Sequence, residues 1–370
     1  MKKINVLMVL GNTGRGGAQT FAMNVLRMID RDKFQVDFAV NEIMTNGYEQ
    51  EIYSLGGKIH VIPYFRGYNW AAYVKTWNEL LTKNHYDIVH GHVSSSASIY
   101  LKVALRHGCK TIAHSHSAGY RGNSVEQLIK KVFSIGVKKQ ANYWFACSSP
   151  AAERLFGNNY ASNKHYFDMP NAIIVENYLF DETIRNKIRN ELGIHPEQKL
   201  YGHVGSFTVP KNHDFLIEIF SEIAANDTNA MLIIAGEGQR ESEIVSKINS
   251  LKLTERVKLT GNIGNVNEYM MAMDTMIFPS FFEGFPITIL EAQATGLPVV
   301  LSDTITNEVF LTECIHSMSL SAGARLWANK AMMLKAGDRG AMNTLISTSK
   351  YNMKNCVKSL ESIYCEMVMK

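Results

Sequence analysis

The sequence predicts an α/β protein built from two doubly wound parallel-sheet domains. Strand-like and helix-like segments alternate along almost the whole chain, the pattern of parallel sheets covered by helices on both faces. The alternation runs once before Pro170-Asn171-Ala172 and once after it. The chain has 370 residues, enough for two such domains at roughly 100–200 residues each. The expected domains are residues 1–172, residues 173–350, and a terminal helix, 351–370, that packs back across the first domain.

Composition narrows the function. A hydrophobic content of 46% and a charged content of 19% describe a globular chain with a large core. A net charge of +4 without a dense Arg/Lys tract argues against nucleic acid as partner. Cys109, Cys147, Cys314, Cys356 and Cys365 are odd in number and lack CxxC spacing, as expected of reduced thiols with no zinc site. The N-terminal apolar stretch Ile4–Leu10 contains Asn5 and runs into a glycine loop. It reads as a buried strand, not a signal peptide. No run approaches the ~18 apolar residues of a membrane span. The expectation is a cytoplasmic protein, with any contact to the inner face of the membrane peripheral.

The elements follow in order. Ile4–Gly11 is an apolar strand, followed by a glycine loop and a helix from about Ala18 to Met28. Val36–Val40 and Lys58–Ile62 are strands, and Trp70 to about Thr82 is a helix. Ile88–His90, Lys110–His114 and Tyr143–Cys147 are short strands separated by helices near Ala97–Leu105 and Val125–Gln140. The second round has helices near Asp181–Leu192, Asp214–Ala225, Gln239–Ser250 and Val266–Met273. Its strands are Leu200–Gly205, Met231–Ala235, Arg256–Leu259 and Thr275–Phe278. A last helix, about Tyr351–Val368, carries Met353, Val357, Leu360, Ile363 and Tyr364 on one face. Ligands of such sheets bind at the carboxyl ends of the strands, so a cleft between two facing domains is expected, with a hinge near Asn171–Tyr178.

The densest chemistry lies in FFEGFPITILEAQATGLPVV, Phe281 to Val300. Glu283 and Glu291 are separated there by seven residues, one in a loop and one on a helix of about Pro286–Thr295. Pro286 suits the first turn, and Gly296 with Pro298 suits the end. The helix start offers free N–H groups and a partial positive charge, a seat for an anion. A carboxylate on each side to grip hydroxyls would suit a sugar nucleotide. Lys211, before another helix, could pair with a diphosphate; otherwise it is a solvated lysine. The strand-end turns Ala235–Glu241 and Leu259–Met270 could shape a pocket for a base.

The first loop, GNTGRGGAQTF, invites comparison with a dinucleotide fingerprint, but its spacing does not match G-x-G-x-x-G. A phosphate or acceptor contact remains. His90, His92, His114 and His116 fall at two strand ends. Four histidines could suggest a metal, yet no carboxylate or HxxxH helix completes a site, so no metal is expected. A histidine facing the cleft suits a polar contact or a base; a buried one bonds to backbone. The helix after them presents Val125, Leu128, Ile129, Val132 and Ile135 on one face and Lys130, Lys131, Lys138 and Lys139 on another. Such a row is either solvated surface or, with Tyr120 and Arg121, a contact for anionic lipid.

Taken together, HVGSFTVPKNHDFLIEIF, AGEGQRESEI, LTGNIGNVNEYM and SFFEGFPITILEAQATGLPVVLSD resemble the family 4 retaining glycosyltransferases of the GT-B fold. GNTGRGGAQTFAMN, IAHSHS and MPNAIIVENYLF resemble the family's first-domain and interdomain segments. The resemblance runs from the first strand to about Asp303 and is strongest to bacterial capsule and exopolysaccharide enzymes. It implies two Rossmann-like domains facing a cleft, and transfer of a sugar from a nucleotide diphosphate, UDP in the first instance, to a lipid-linked or oligosaccharide acceptor. It implies no cofactor and no metal. By resemblance, Glu283, Lys211 and His116 are catalytic: Glu283 and His116 on the donor sugar, Lys211 on the departing diphosphate. Gly16, Gly17, Ser206, Gly236, Gly284, Phe285, Ile287, Thr288, Ile289 and Glu291 bind the donor, Glu291 through the ribose hydroxyls. Two positions depart from the family pattern. Ser206 stands where an arginine usually follows Val-Gly, and Ile263 stands for an arginine in the later loop; Arg15 or Arg240 could compensate. These departures speak for an alternative, a degenerate GT-B protein that binds a sugar nucleotide or a partner without turnover.

Overall fold

The computed structural model describes residues 2–116, 136–283 and 285–369. They form two compact units, Met1–Ala172 with Met353–Lys370, and Ile173–Asn352. Tyr351 and Asn352 go with the second unit, not with the terminal helix as expected. The reason is local: Ile173 N–H donates to the Tyr351 carbonyl, and Ile173 bridges to Asn352.

The first unit holds a seven-stranded parallel sheet in the order β3-β2-β1-β4-β5-β6-β7. Its strands are β1 (Ile4–Asn12), β2 (Phe34–Glu42), β3 (Ile59–Val61), β4 (Ile88–Gly91), β5 (Lys110–Ser115), β6 (Tyr143–Ala146) and β7 (Tyr166–Asp168). The central strands are apolar on both faces: Val6 to Leu10 are all nearly inaccessible, as a sheet covered by helices on both sides requires. The terminal helix, Met353–Met369, belongs to this unit. It buries Met353, Cys356, Val357, Leu360, Ile363, Tyr364 and Met367 at helical spacing. Each such side chain contributes about 1.5–3 kcal/mol. Glu361 accepts from the Asp30 N–H at 2.7 Å and fixes its register.

The second unit holds a six-stranded parallel sheet, β10-β9-β8-β11-β12-β13. Its strands are β8 (Leu200–Val204), β9 (Met231–Ala235), β10 (Val257–Gly261), β11 (Thr275–Phe278), β12 (Val299–Ser302) and β13 (Ile315–Met318). Both sheets therefore reverse strand order after their first strand, at β1/β4 and at β8/β11. Ligands of open α/β sheets bind outside the carboxyl ends at such a reversal.

Several elements lay outside the sequence reading: β7, β13, and the helices Glu49–Ser54, Ser149–Phe156, Ala324–Met333 and Arg339–Ser347. The expected helix over Val125–Gln140 lies mostly outside the described residues, as do Tyr120, Arg121, Lys130 and Lys131. Its described end is a single turn, Val137–Gln140, with Lys138 and Lys139 exposed. Among the described residues no helix is long and apolar enough to cross a membrane.

Candidate active site

In the second unit the strand ends at the reversal carry the residues that the sequence singled out. The 3-10 turn Val209–Lys211 follows β8, and the helix Ile287–Ala294 follows β11. Pro286 takes the cap position of that helix instead of its first turn, with extended backbone at φ −78° and ψ 96°. Gly296 closes the other end at φ +63°, a conformation that glycine adopts without strain.

Lys211 and Glu283 meet across this end of the sheet. The Lys211 ammonium donates to Glu283 Oε1 at 2.6 Å, and both side chains are about 15% exposed (16% and 15%). The same ammonium lies 4.9 Å from the Phe278 ring centre, a favourable seat for a cation. Gly284 lies outside the described residues. Beyond it, the N–H groups of Ile287 and Thr288 have no partner among the described residues, as the first turn of a helix leaves them. Ile289 differs from expectation. Its N–H already donates to the Pro286 carbonyl at 3.0 Å, and its side chain is buried in the core. It supports the helix and has no free N–H to offer an anion. Phe285 stacks on Tyr351, with ring centres 5.3 Å apart.

Glu291 lies one turn further along. Its Oε1 accepts from the Tyr178 hydroxyl at 2.6 Å, and its other oxygen has no partner among the described residues. Burial raises the Glu291 carboxyl above its ordinary range, and the Tyr178 bond works against that rise. Tyr178 is itself raised, by burial first and the adjacent carboxylate second.

Beside this helix tip the ends of β8, β9 and β10 enclose a pocket of about 330 Å³, lined by Gly205, Ser206, Gly236, Glu237, Asn262 and Ile263 among others. Ser206 is exposed and brings no charge. Arg240, weighed above as a substitute cation, is bonded to Asp214 at 2.7 Å and Glu243 at 2.6 Å. Two carboxylates already neutralise it.

In the first unit the reversal point carries the glycine loop and the histidines. Gly16 caps the helix Gly17–Met28, and both glycines are exposed. Asn12 Oδ1 shapes the loop by accepting from Gly14 N–H at 3.0 Å and Gln19 Nε2 at 2.9 Å. Arg15 stacks on Tyr48, 5.3 Å from its ring centre.

The four histidines form two chains. His114 Nε2 lies 3.1 Å from the Met169 carbonyl, so it must donate. His114 Nδ1 then accepts from His90 Nε2 at 3.2 Å, and His90 Nδ1 accepts from the Tyr364 hydroxyl at 2.7 Å. The second chain joins His92 Nδ1 to His116 Nε2 at 2.7 Å and His116 Nδ1 to Asn171 Oδ1 at 3.0 Å. Both ring nitrogens of His116 are thus occupied, and only His92 Nε2 is buried without a partner. Burial pushes His90, His92 and His114 well below the ordinary imidazole range, and pushes His116 to about 4 with some opposition from Asn171.

His90, His92 and His114 each offer a nitrogen within 4.8 Å of the others, a spacing a metal could use. Their rings disfavour it. His90 and His92 stack with centres 4.3 Å apart and planes 24° from parallel. In-plane lone pairs of stacked rings do not converge on one ion, whereas the neutral hydrogen-bonded chain satisfies His90 and His114 fully.

The sequence reading missed Tyr178, Asn171 and Tyr364. Asn171 and Tyr178 were in view within MPNAIIVENYLF, but nothing local says that a tyrosine reaches a carboxylate 113 positions later.

Comparison with known proteins places this geometry. The family model "Glycosyltransferase Family 4" matches residues 15–166, and "Glycosyl transferases group 1" matches residues 184–313. EpsF of Bacillus subtilis, named as a glycosyltransferase, is 28% identical over 97% of this chain and 96% of its own. The capsular polysaccharide biosynthesis glycosyltransferase CapH of Staphylococcus aureus is 22% identical over 82% of each chain. An Escherichia coli enzyme named UDP-Gal:alpha-D-GlcNAc-diphosphoundecaprenol alpha-1,3-galactosyltransferase is 24% identical over 79% of this chain and 78% of its own. Among solved structures, Anabaena HepE in complex with UDP superposes with a TM-score of 0.78 at 15% identity, covering 99% of this chain and all of that one (100%). The two family models together span most of the chain, and the chain belongs to family 4 of the GT-B glycosyltransferases.

Proposed function

We propose that the protein transfers a sugar from UDP to a lipid-linked or oligosaccharide acceptor, with retention of anomeric configuration and without a metal, at the cytoplasmic face of the membrane. The observation that carries this reading is the Lys211–Glu283 pair at the tip of the helix Ile287–Ala294. Breaking the anomeric C–O bond leaves positive character on the sugar and negative charge on the diphosphate. A lysine and two free N–H groups are preorganised for that second charge. Diphosphate arriving at Lys211 replaces Glu283 as its partner and frees that carboxylate for a sugar hydroxyl. The nearby pocket suits a base, and Glu291 faces the ribose with its unpaired oxygen. The UDP named in the HepE complex and in the Escherichia coli enzyme supports the donor, and the diphosphoundecaprenol in the latter name supports the acceptor.

Retention follows from a same-face route. The C1–O(phosphate) bond breaks, the acceptor oxygen bonds to C1, and its proton passes to the leaving phosphate. The His116 role is the least direct, since a donor contact requires it to exchange His92 or Asn171 for a sugar hydroxyl. Ser206, without a charge at the pocket, favours a second reading, binding without turnover. UDP release from a panel of UDP-sugars with lipid-linked acceptor tests the proposal. The expected result is a wild-type product of unchanged anomeric configuration, with turnover abolished in Glu283→Gln. UDP binding without release from any donor establishes the second reading, and a covalent sugar–protein adduct ends the same-face route.

A further inference from the structure

We propose that Tyr178 is a positioning residue for the nucleotide's ribose, acting through Glu291; the inference rests on the donor-site reading above. A carboxylate rotates freely about its last bond and can present either oxygen. Here the Tyr178 hydroxyl holds Oε1 at 2.6 Å, so the carboxylate is kept in one orientation, with its other oxygen unpartnered among the described residues. No cation is bonded to Glu291 among the described residues, and burial already disfavours its charge. The tyrosine hydroxyl is therefore its one fixed donor, and a vicinal diol would supply what the second oxygen lacks.

Tyr178 is in turn rigid. It ends the 3-10 turn Val175–Tyr178 and packs with Phe285 and Ile287 against the core of the second unit. Asn267 Nδ2 donates to the Asn177 carbonyl at 2.8 Å, and Asn343 Nδ2 donates to the Val175 carbonyl at 3.3 Å. The turn is thus tied to two other helices of the unit. Such a supporting layer holds a binding group in its productive geometry. It also gives a physical reason for a tyrosine at this position: a phenylalanine would fill the same space but leave Glu291 to rotate.

The test is affinity for UDP and for 2′-deoxy-UDP, by calorimetry, in the full chain. The expected wild-type preference is for the ribonucleotide. Tyr178→Phe keeps the ring and should weaken UDP by about tenfold, the usual scale for losing a hydrogen bond to a charged group. It should leave 2′-deoxy-UDP nearly unchanged, so that the preference collapses. Adding Tyr178→Phe to Glu291→Gln should cost little more than Glu291→Gln alone. Equal weakening of both nucleotides would mark a merely structural role and overturn the proposal, as would unaltered UDP affinity. A wild-type chain that binds UDP without preferring the ribose would overturn it while leaving the donor site standing. A chain that binds no UDP would remove the UDP reading and this inference together.

Discussion

Lys211 and Glu283 hold each other in the free chain, so the energetics of substitution at either must count both partners. Removing the lysine takes away one of the few fixed positive groups at the helix tip and leaves Glu283 partly buried without its counter-ion. Lys211→Ala is expected to lower kcat by about 10²–10³, read from UDP release, because the lost contact acts on charge that develops only as the bond breaks. The sequence made each of these two residues visible, one beside a Gly-Ser turn and one in the E-x7-E stretch. Their pairing was not visible, since 72 positions separate them. The histidines behave likewise. Their two strand-end pairs were legible, but the chain running through Met169 and Tyr364 depends on residues from other elements. That chain has a consequence for acid stability. Folded His90, His92 and His114 stay neutral because burial disfavours their charge, whereas the unfolded chain protonates them near pH ~6.5. Below that pH the unfolded state binds more protons, so stability is complete above it and is lost as pH falls. The slope is about 1.4 kcal/mol per pH unit for each histidine that charges only on unfolding. Urea titrations between pH 7 and 4.5 should show this loss, and His114→Gln should make it shallower by about one proton.

At the scale of elements, the helix Ile287–Ala294 depends on what holds its far end. Arg339 is buried and donates to the Thr295 carbonyl at 2.7 Å, to Met270 at 3.1 Å and to Met271 at 3.2 Å. It thereby joins the carbonyl ends of the helices Val266–Ala272 and Ile287–Ala294, where a positive charge is favoured. Burial lowers its guanidinium to about 10, which still leaves it charged at neutral pH. Arg339→Met should cost at least about 3 kcal/mol in urea unfolding, since several buried carbonyls lose their donor together, and Arg339→Lys should restore only part. The helix that carries Arg339 escaped the sequence reading for a physical reason. Its inward face includes Arg339 and Asn343 beside Met342 and Ile346, so the apolar periodicity that marks a helix is broken by residues with structural polar work. Gly236, just after β9, is held in a conformation that only glycine takes readily. Its φ is +151°, and a Cβ there would run into the Gly205 carbonyl. Gly236→Ala should cost about 1–3 kcal/mol from backbone strain alone and, by displacing the Gly205 wall of the pocket, should reduce UDP affinity in calorimetry.

Over the whole molecule, the repeated parallel α/β architecture was legible because alternation of strands and helices implies it, whereas the strand order comes only from the structure. The terminal helix that closes the first unit was legible as well, from the apolar face of its 3.6-residue pattern. The second unit is continuous in sequence, Ile173–Asn352, and contains its own core and sheet. The first is discontinuous: residues 1–172 require the helix Met353–Met369 from the far end of the chain. Without that helix, the faces of Phe34 and His90 that Tyr364 covers would be open, and the Asp30 N–H would lose Glu361. Seven buried side chains would be missing from one face, a loss of about 10 kcal/mol or more at 1.5–3 kcal/mol each. That exceeds most or all of the 5–15 kcal/mol by which a domain is stable. The two halves should therefore behave differently as fragments. Residues 173–352 expressed alone should unfold cooperatively in urea and bind UDP, because Lys211, Glu283, Glu291, Tyr178 and the pocket all lie within them. Residues 1–172 alone should show no cooperative transition, and adding a peptide of residues 353–370 should restore one. A stable 1–172 fragment would mean that the terminal helix covers a surface the first unit can leave open.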